Sequence, residues 1–207
     1  MNEKRKTILA IDDDITILNT IRTVLEGSYE VSLAKNTTIA KKILTTTRVD
    51  LILLDMNMPG TSGMEFLQFV SNDDSQYHIP VIIVSSQGTA DVIVETQKMG
   101  AVDFVVKPIS PNILREKIRS SLKAASEKIG RIALVIKLRK LAQVCEAGRG
   151  SHVEEVIEEL EQVYYDHTID AKIAEICTYA RDMEYSLVDE KIKELLADLS
   201  KKTKPAW

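Results

Sequence analysis

The sequence predicts a doubly wound α/β domain followed by a small all-α helical bundle. Between residues 5 and 125, short β-branched runs alternate with segments whose apolar residues recur at helical spacing. Four of the five runs are almost wholly apolar, which is typical of parallel strands covered on both faces. After residue 125 no run has the character of a strand. We therefore predict an α/β domain at 5–125, a helical domain at 126–200 and a flexible tail at 201–207.

Each apolar run of the first domain is followed by a segment with helical periodicity. The strands are predicted at residues 8–11, 29–33, 51–54, 81–84 and 104–106. Helices are predicted at residues 15–25, 38–44, 64–70 and 92–99, and a fifth begins at Pro111, a residue favoured in the first helical turn. Five strand–helix repeats predict a parallel sheet with right-handed crossovers.

The second half predicts three or four short amphipathic helices. The first ends at Gly148 and Gly150, and one of its faces carries Ile129, Ile132, Ala133, Ile136, Lys140 and Val144. Ser151 and Glu154 form a capping-box pattern, which predicts that the next helix starts at His152. Further helices are predicted at residues 169–183 and 188–199. We expect their apolar stripes to form the core of an antiparallel bundle.

Composition favours an ordinary cytoplasmic, soluble protein. The formal net charge is −4, so the overall charge indicates neither nucleic acid nor membrane as the partner. The two cysteines, Cys145 and Cys177, lie far apart in sequence and are expected to be small core residues in a reducing compartment. The N-terminus has no signal-peptide pattern, and the longest apolar runs are too short to cross a bilayer.

Polar residues follow four of the five predicted strands and are expected to converge at one edge of the sheet. The first strand ends in Asp12 and Asp13, the third in Asp55, the fourth in Ser85 and the fifth in Lys107. In a doubly wound sheet, the carboxyl ends of the strands form the ligand site. Carboxylates brought together in this way require a cation between them, and oxygen ligands favour Mg2+. A carboxylate can also act as a nucleophile toward phosphorus, and Ser85 and Lys107 would supply donors for phosphoryl oxygens.

The motifs around these residues resemble the response-regulator receiver family. They are the segments ILAIDDD at 8–14, LILLDMNMPG at 51–60, VIIVSS at 81–86 and FVVKP at 104–108, in the family's order and spacing over residues 5–124. A single fragment of this kind is weak evidence for the family, whereas four fragments in register are strong evidence for it. The resemblance implies a flavodoxin-like fold with a five-stranded parallel sheet in the order 2-1-3-4-5.

The resemblance also implies a role for each residue of the site. Asp55 corresponds to the phosphoacceptor and Lys107 to the lysine that binds phosphoryl oxygens. Asp12, Asp13 and Asp55 correspond to the Mg2+ ligands, together with the backbone carbonyl of Asn57. The implied donor is a phosphohistidine on a sensor histidine kinase or a histidine phosphotransfer protein. The domain would catalyse its own phosphorylation and dephosphorylation, and it is not an enzyme in the ordinary sense.

Two further positions correspond to the family's conformational switch. Ser85 takes the place of the conserved hydroxyl, and Phe104 that of an aromatic residue that turns inward as the hydroxyl moves toward the phosphoryl group. An aromatic at a strand end is also often plain core, so that alternative stays open for Phe104. The Lys107–Pro108 bond is typically cis in this family. Asp14 is interpreted as a helix N-cap and Ser86 as a small spacer.

The function of the second half is left open between two classes. A basic cluster on its first helix (Lys128, Arg131, Lys137, Arg139 and Lys140) could contact DNA, as in a transcriptional regulator with an atypical helical output domain. The next helix, however, is crowded with glutamates, which phosphates would repel. We therefore favour a module for protein interaction or homodimerisation, with an unidentified downstream partner. The acidic helix against the basic one could also close the module on itself.

Overall fold

The structure is a computed structural model, and it describes residues 5–59, 61–72, 79–148, 150–162 and 167–201. It divides into two compact units, Met1–Ser126 and Glu127–Trp207. Each unit has its own hydrophobic core. Among the described residues, no helix combines the length and the apolar character needed to cross a membrane.

The first unit is built on a five-stranded parallel sheet. Its strands are β1 (Thr7–Ile11), β2 (Glu30–Ala34), β3 (Leu51–Leu54), β6 (Val81–Ser85) and β7 (Ala101–Val106). They lie in the order β2-β1-β3-β6-β7, so the first strand in the chain lies between the second and the third. The predicted flavodoxin-like fold with the order 2-1-3-4-5 is confirmed.

Helices cover both faces of this sheet because successive strand side chains point in opposite directions. Ile8 and Ala10 of β1 belong to a core shared with helix α1 (Ile15–Leu25) and with the start of α5 (Pro111–Glu146). Leu9 and Ile11 belong to the core on the other face. That core is covered by α2 (Thr37–Thr46), α3 (Gly63–Asn72) and α4 (Ala90–Lys98).

Two local features of the sheet differ from the sequence prediction. Strand β7 begins at Ala101, three residues before the predicted start, and pairs with β6 along Val81–Ser85. The polar Asp103 interrupts the apolar run there, and its carboxylate is satisfied by an ion pair with Lys117 of α5. A short hairpin of β4 (Asn57–Met58) and β5 (Thr61–Ser62) follows β3, and it had no apolar pattern to predict it.

The second unit is a helical bundle. It contains the later part of α5, α6 (Gly150–Glu161), α7 (His167–Arg181) and α8 (Tyr185–Lys201). Arg181 of α7 forms ion pairs with Glu154 and Glu161 of α6, both at 2.9 Å. The core draws side chains from all four helices, among them Leu134, Leu138, Leu141, Val156, Ile157, Leu160, Ile173, Ile176, Val188, Ile192 and Leu195.

The predicted buried face on the first helix of the bundle is wrong for its three isoleucines, whereas Val144 of the same face does pack, partly buried, against the core. Ile129, Ile132 and Ile136 are 51%, 39% and 62% exposed. The buried face is instead formed by Leu134, Leu138, Leu141 and Cys145. The helix therefore carries two apolar stripes, and periodicity alone cannot say which of them faces the core.

Helix ends also depart by a few residues from the prediction. Helix α6 begins at Gly150, two residues before the expected His152. Helix α7 ends at Arg181, and Met183 adopts a left-handed conformation with φ 61° while Glu184 N donates to the Tyr179 carbonyl. That arrangement is a Schellman-type helix end, in which glycine is more usual than methionine. The flexible tail was predicted at residues 201–207. Lys201 is the last residue of α8, and residues 202–207 lie outside the described residues.

Candidate functional site at the carboxyl edge of the sheet

Asp12 and Asp55 lie side by side at the carboxyl ends of β1 and β3. They are only 2% and 4% exposed. Backbone bonds continue the parallel ladder to both residues, because Asp12 N donates to the Ala34 carbonyl and Asp55 N to the Ile11 carbonyl. The strands themselves therefore fix the positions of the two carboxylates.

Lys107 brings an ammonium group between these two buried acids. Its Nζ lies 2.7 Å from Asp12 Oδ2 and 3.0 Å from Asp55 Oδ2. Its backbone N–H donates to the Ser85 carbonyl at 2.9 Å, which ties the residue to the end of β6. The Lys107–Pro108 peptide is cis, as the family resemblance implied.

The acidic residues of the site could hold a divalent cation. Asp12, Asp13 and Asp55 each offer a carboxylate oxygen, and these oxygens lie within 4.8 Å of one another. Asp13 is exposed whereas the other two are buried, so the cluster opens to solvent on one side. An all-oxygen donor set with one open side suits Mg2+, which keeps several water ligands in protein sites.

Ser85 is held beside Asp55 by a small set of hydrogen bonds. Its side chain is buried, and its Oγ accepts from Asn57 Nδ2 and from the Gln87 N–H, each at 3.3 Å. Asn57 N in turn donates to Asp55 Oδ1 at 3.3 Å. The resemblance assigned Asn57 only its backbone carbonyl, whereas here its side-chain amide also links the hydroxyl to the loop after Asp55.

Burial and neighbouring charges shift the pKa values of the site's ionisable groups in opposite directions. Burial raises the pKa of the Asp12 carboxyl, and the hydrogen bond from Lys107 offsets only part of that rise. Burial by itself would lower the pKa of the Lys107 ammonium, but its bonds to Asp12 and Asp55 outweigh this and leave that pKa raised. Lys107 therefore remains a cation at neutral pH and partly neutralises the cluster.

Phe104 and Asp14 occupy the places that their predicted roles require. Phe104 is 8% exposed and packs in the core on the α2–α4 side of the sheet, so its ring lies inward. That position suits either an inward switch conformation or a plain core residue, and its role stays a prediction. Asp14 is confirmed as the N-cap of α1, since its carboxylate accepts from Thr16 N at 2.7 Å.

Gly63 is a residue of the site that sequence reasoning missed. It follows the β4–β5 hairpin and begins α3, whose first turn is capped where Ser62 Oγ accepts from Glu65 N. A Cβ on Gly63 would lie 2.7 Å from the Asp55 carbonyl oxygen and 2.8 Å from Met56 Cα. Both contacts are with backbone atoms, one of the candidate phosphoacceptor and one of the residue after it, so only glycine fits without moving that backbone.

Replacing Gly63 with alanine should lower the stability of the first unit by roughly 1–3 kcal/mol, because the new methyl group overpacks against backbone. Uptake of a phosphoryl group should also slow, since relief of the clash displaces Asp55. Urea unfolding followed by circular dichroism, together with the initial rate of phosphoryl uptake, measures both effects. Gly130→Ala is the matched control.

Gly130 lies inside α5, and nothing lies within 4 Å of the position of its missing Cβ. The same substitution there should stabilise the chain by about 1 kcal/mol through helix propensity. Changes in unfolding free energy of opposite sign for the two variants would support the close contact at Gly63. Equal effects would mean that the Asp55 backbone tolerates a side chain at residue 63.

The fold and the site together define a class of protein. It is a doubly wound parallel α/β domain that collects buried aspartates, a hydroxyl and a lysine at the carboxyl edge of its sheet. The family model described as "Response regulator receiver domain" matches residues 8–119, which is more than half of the chain. The chain belongs to the response regulator receiver family.

Individual relatives match somewhat more than half of this chain. The phosphate regulon transcriptional regulatory protein PhoB of Pseudomonas aeruginosa is 36% identical over 57% of this chain and 52% of its own length. The chemotaxis protein CheY of the same organism is 34% identical over 54% of this chain and 91% of its own. A CheY-like receiver domain from Methanospirillum hungatei superposes with a TM-score of 0.56 at 27% identity, over 60% of this chain and 99% of its own. This chain thus spans about half the length of the PhoB relative.

Proposed function

We propose that this protein is a phosphorelay switch in which Asp55 accepts a phosphoryl group and the helical unit passes the signal to another protein. The donor would be a phosphohistidine on a sensor histidine kinase or a histidine phosphotransfer protein. The observation that carries the proposal is the buried Asp55 carboxylate, with Lys107 Nζ at 3.0 Å and the acids Asp12 and Asp13 beside it. Membership of the receiver family supports the same chemistry.

The transfer itself is a displacement at phosphorus. A carboxylate oxygen of Asp55 forms a bond to phosphorus as the bond from phosphorus to the donor's imidazole nitrogen breaks, and that nitrogen takes up a proton. Lys107 and Ser85 donate hydrogen bonds to the phosphoryl oxygens, where negative charge accumulates. To do so, Lys107 exchanges its contact with Asp55 for one with the phosphoryl group and keeps its contact with Asp12.

A divalent cation fits beside these residues. Asp12, Asp13, Asp55 and the backbone carbonyl of Asn57 would hold Mg2+, which when bound supplies positive charge to the phosphoryl oxygens. The exposed Asp13 leaves this cluster open to solvent, which suits an ion that usually keeps several water ligands in proteins.

The switch that follows phosphorylation is proposed to involve Ser85 and Phe104. Two long hydrogen bonds, from Asn57 Nδ2 and from Gln87 N, reach the Ser85 hydroxyl oxygen. In both bonds Ser85 Oγ is the acceptor. A charged phosphoryl oxygen would accept a hydrogen bond from the Ser85 O–H and so draw the hydroxyl toward Asp55. The Phe104 ring already lies inward in this structure, so movement of the hydroxyl would hold the ring in that position rather than turn it inward.

For the helical unit we favour protein interaction over DNA binding. Two residues of the basic cluster are already engaged within the unit, since Lys137 Nζ donates to the Glu159 carbonyl at 2.6 Å and Lys140 pairs with the Glu159 carboxylate at 3.0 Å. The basic surface left for phosphates is correspondingly smaller. The PhoB relative is a transcriptional regulator by name, but its likeness covers 57% of this chain and 52% of its own length.

The test is phosphorylation of the full chain with acetyl phosphate. We expect intact mass to show one added phosphoryl group in the presence of Mg2+ and none when EDTA is added first. Borohydride reduces an acyl phosphate to an alcohol, so subsequent peptide mapping should place the reduced residue at position 55. Addition at another residue, or no addition with Mg2+ present, would overturn the proposed function.

A further inference from the structure

Three isoleucines form an exposed ridge on the first helix of the bundle. Ile129, Ile132 and Ile136, here called the isoleucine ridge, lie within about 70° of one another around α5 at 100° per residue. The side chains at both ends of the ridge are more than half exposed. Isolated exposed apolar residues are common, but a contiguous row of three on one helix face is typical of an interaction surface.

The bundle does not need this ridge for its own stability. The residues that α5 contributes to the core include Leu134, Leu138 and Leu141, all fully buried. At 100° per residue these leucines lie on the opposite side of the helix from the isoleucines. The helix thus buries one apolar face in its own core and presents a second face of similar length outward.

Basic residues flank the ridge along both edges. Lys128 and Arg139 lie along one edge and Lys137 and Lys140 along the other, as the helical positions place them. Lys137 and Lys140 are held by Glu159. Among the residues that the structure describes, Lys128 and Arg139 form no ion pair. One edge of the ridge therefore carries positive charge that no acidic residue in the described part of the chain pairs with.

This charge pattern indicates which kind of partner binds the ridge, a second copy of the chain or an acidic helix. Two copies packed ridge to ridge would bring basic edges together, in a parallel or an antiparallel arrangement, and like charges at such positions disfavour pairing. A helix with its own apolar stripe and glutamates or aspartates beside it would bury the isoleucines and pair with Lys128 and Arg139. We propose that the isoleucine ridge is the docking surface for an acidic amphipathic helix of another protein. This deepens, and rests on, the proposed role of the helical unit in protein interaction.

The probe is a pair of fluorescent helical peptides of about 20 residues, long enough for helix to form. Both carry leucines along one stripe, and the flanking positions are glutamate in one peptide and lysine in the other. Anisotropy is recorded on titration with the unphosphorylated full chain, with Ile136→Asp and with Arg139→Glu. The control is Met183→Asp, at a residue of the same unit that is 70% exposed and distant in sequence from the ridge.

We expect the acidic peptide to bind at least tenfold more tightly than the basic one, with an affinity that falls as salt is added. Ile136→Asp and Arg139→Glu should each weaken binding about tenfold, as expected for loss of an apolar anchor or a charge pair at an interface, while Met183→Asp binds normally. Equal binding of the two peptides, no binding of either, or equal losses in Ile136→Asp and Met183→Asp would overturn the inference.

Two parallel measurements test whether a membrane or a second copy of the chain binds the ridge instead. Ridge-dependent binding to vesicles of anionic phospholipid, or ridge-dependent dimerisation in sedimentation, would replace the acidic helix with a membrane or a second copy and so overturn the inference. Phosphoryl uptake from acetyl phosphate is measured on the same preparations. Normal phosphoryl uptake without peptide binding would refute only the proposal that the ridge is a docking surface. Absent phosphoryl uptake would refute the proposed phosphorelay function.

Discussion

Replacing Asp55 with asparagine is expected to abolish phosphoryl uptake from acetyl phosphate and leave the chain folded. Asparagine has nearly the same shape, but its amide cannot form the acyl phosphate. Lys107 keeps its 2.7 Å contact with Asp12, so no buried cation loses its counterion. One of three carboxylates that lie within 4.8 Å of one another disappears, which relieves like-charge repulsion. We therefore expect a change in unfolding free energy of no more than about 1 kcal/mol.

Intact mass and urea unfolding measure these two expectations on the same protein. Asp91→Asn is the matched control, because Asp91 is an exposed carboxylate in the first turn of α4. It should take up phosphoryl groups at the normal rate. Full uptake in Asp55→Asn would show that another group accepts phosphate. A loss of several kcal/mol would show instead that Asp55 is chiefly a structural partner of Lys107.

The sequence predicted which residues come together at the carboxyl edge because strand ends are easy to recognise in a parallel sheet. Runs such as Leu51–Leu54 are wholly apolar, so the first polar residue after each run marks the carboxyl edge. Topology then brings those residues together without further information. Asp12, Asp55 and Lys107 meet within hydrogen-bonding distance although up to 95 residues separate them along the chain.

What the sequence could not predict depends on close packing rather than on pattern. The sequence around Gly63 does not indicate that this residue approaches the Asp55 carbonyl. That contact follows from the path of the β4–β5 hairpin. The apolar faces of α5 pose a related problem. Ile129 and Leu134 are equally apolar, and only the arrangement of α6, α7 and α8 decides which of them is buried.

Replacing Lys107 with methionine is expected to change two properties of the site in opposite directions. Methionine keeps an unbranched side chain but removes the ammonium, so phosphoryl uptake should fall by roughly 100- to 1,000-fold, as for loss of one donor to a developing anion. Binding of Mg2+ should tighten by about tenfold, because a cation that neutralised Asp12 and Asp55 at 2.7 and 3.0 Å is gone. Initial rates of uptake and calorimetric titration with Mg2+ provide the two measurements.

Lys117→Met is the matched control, since Lys117 also pairs with an aspartate of β7 but lies away from Asp55 and the acidic cluster. Neither uptake nor Mg2+ affinity should change there. If Lys107→Met weakened Mg2+ binding, the ammonium would be orienting the carboxylates for the metal rather than competing with it. If uptake stayed within a few-fold of normal, the phosphoryl oxygens would have to find their donors elsewhere in the site. Only the combination of slow uptake and tight metal binding fits a lysine that exchanges one carboxylate for the phosphoryl group.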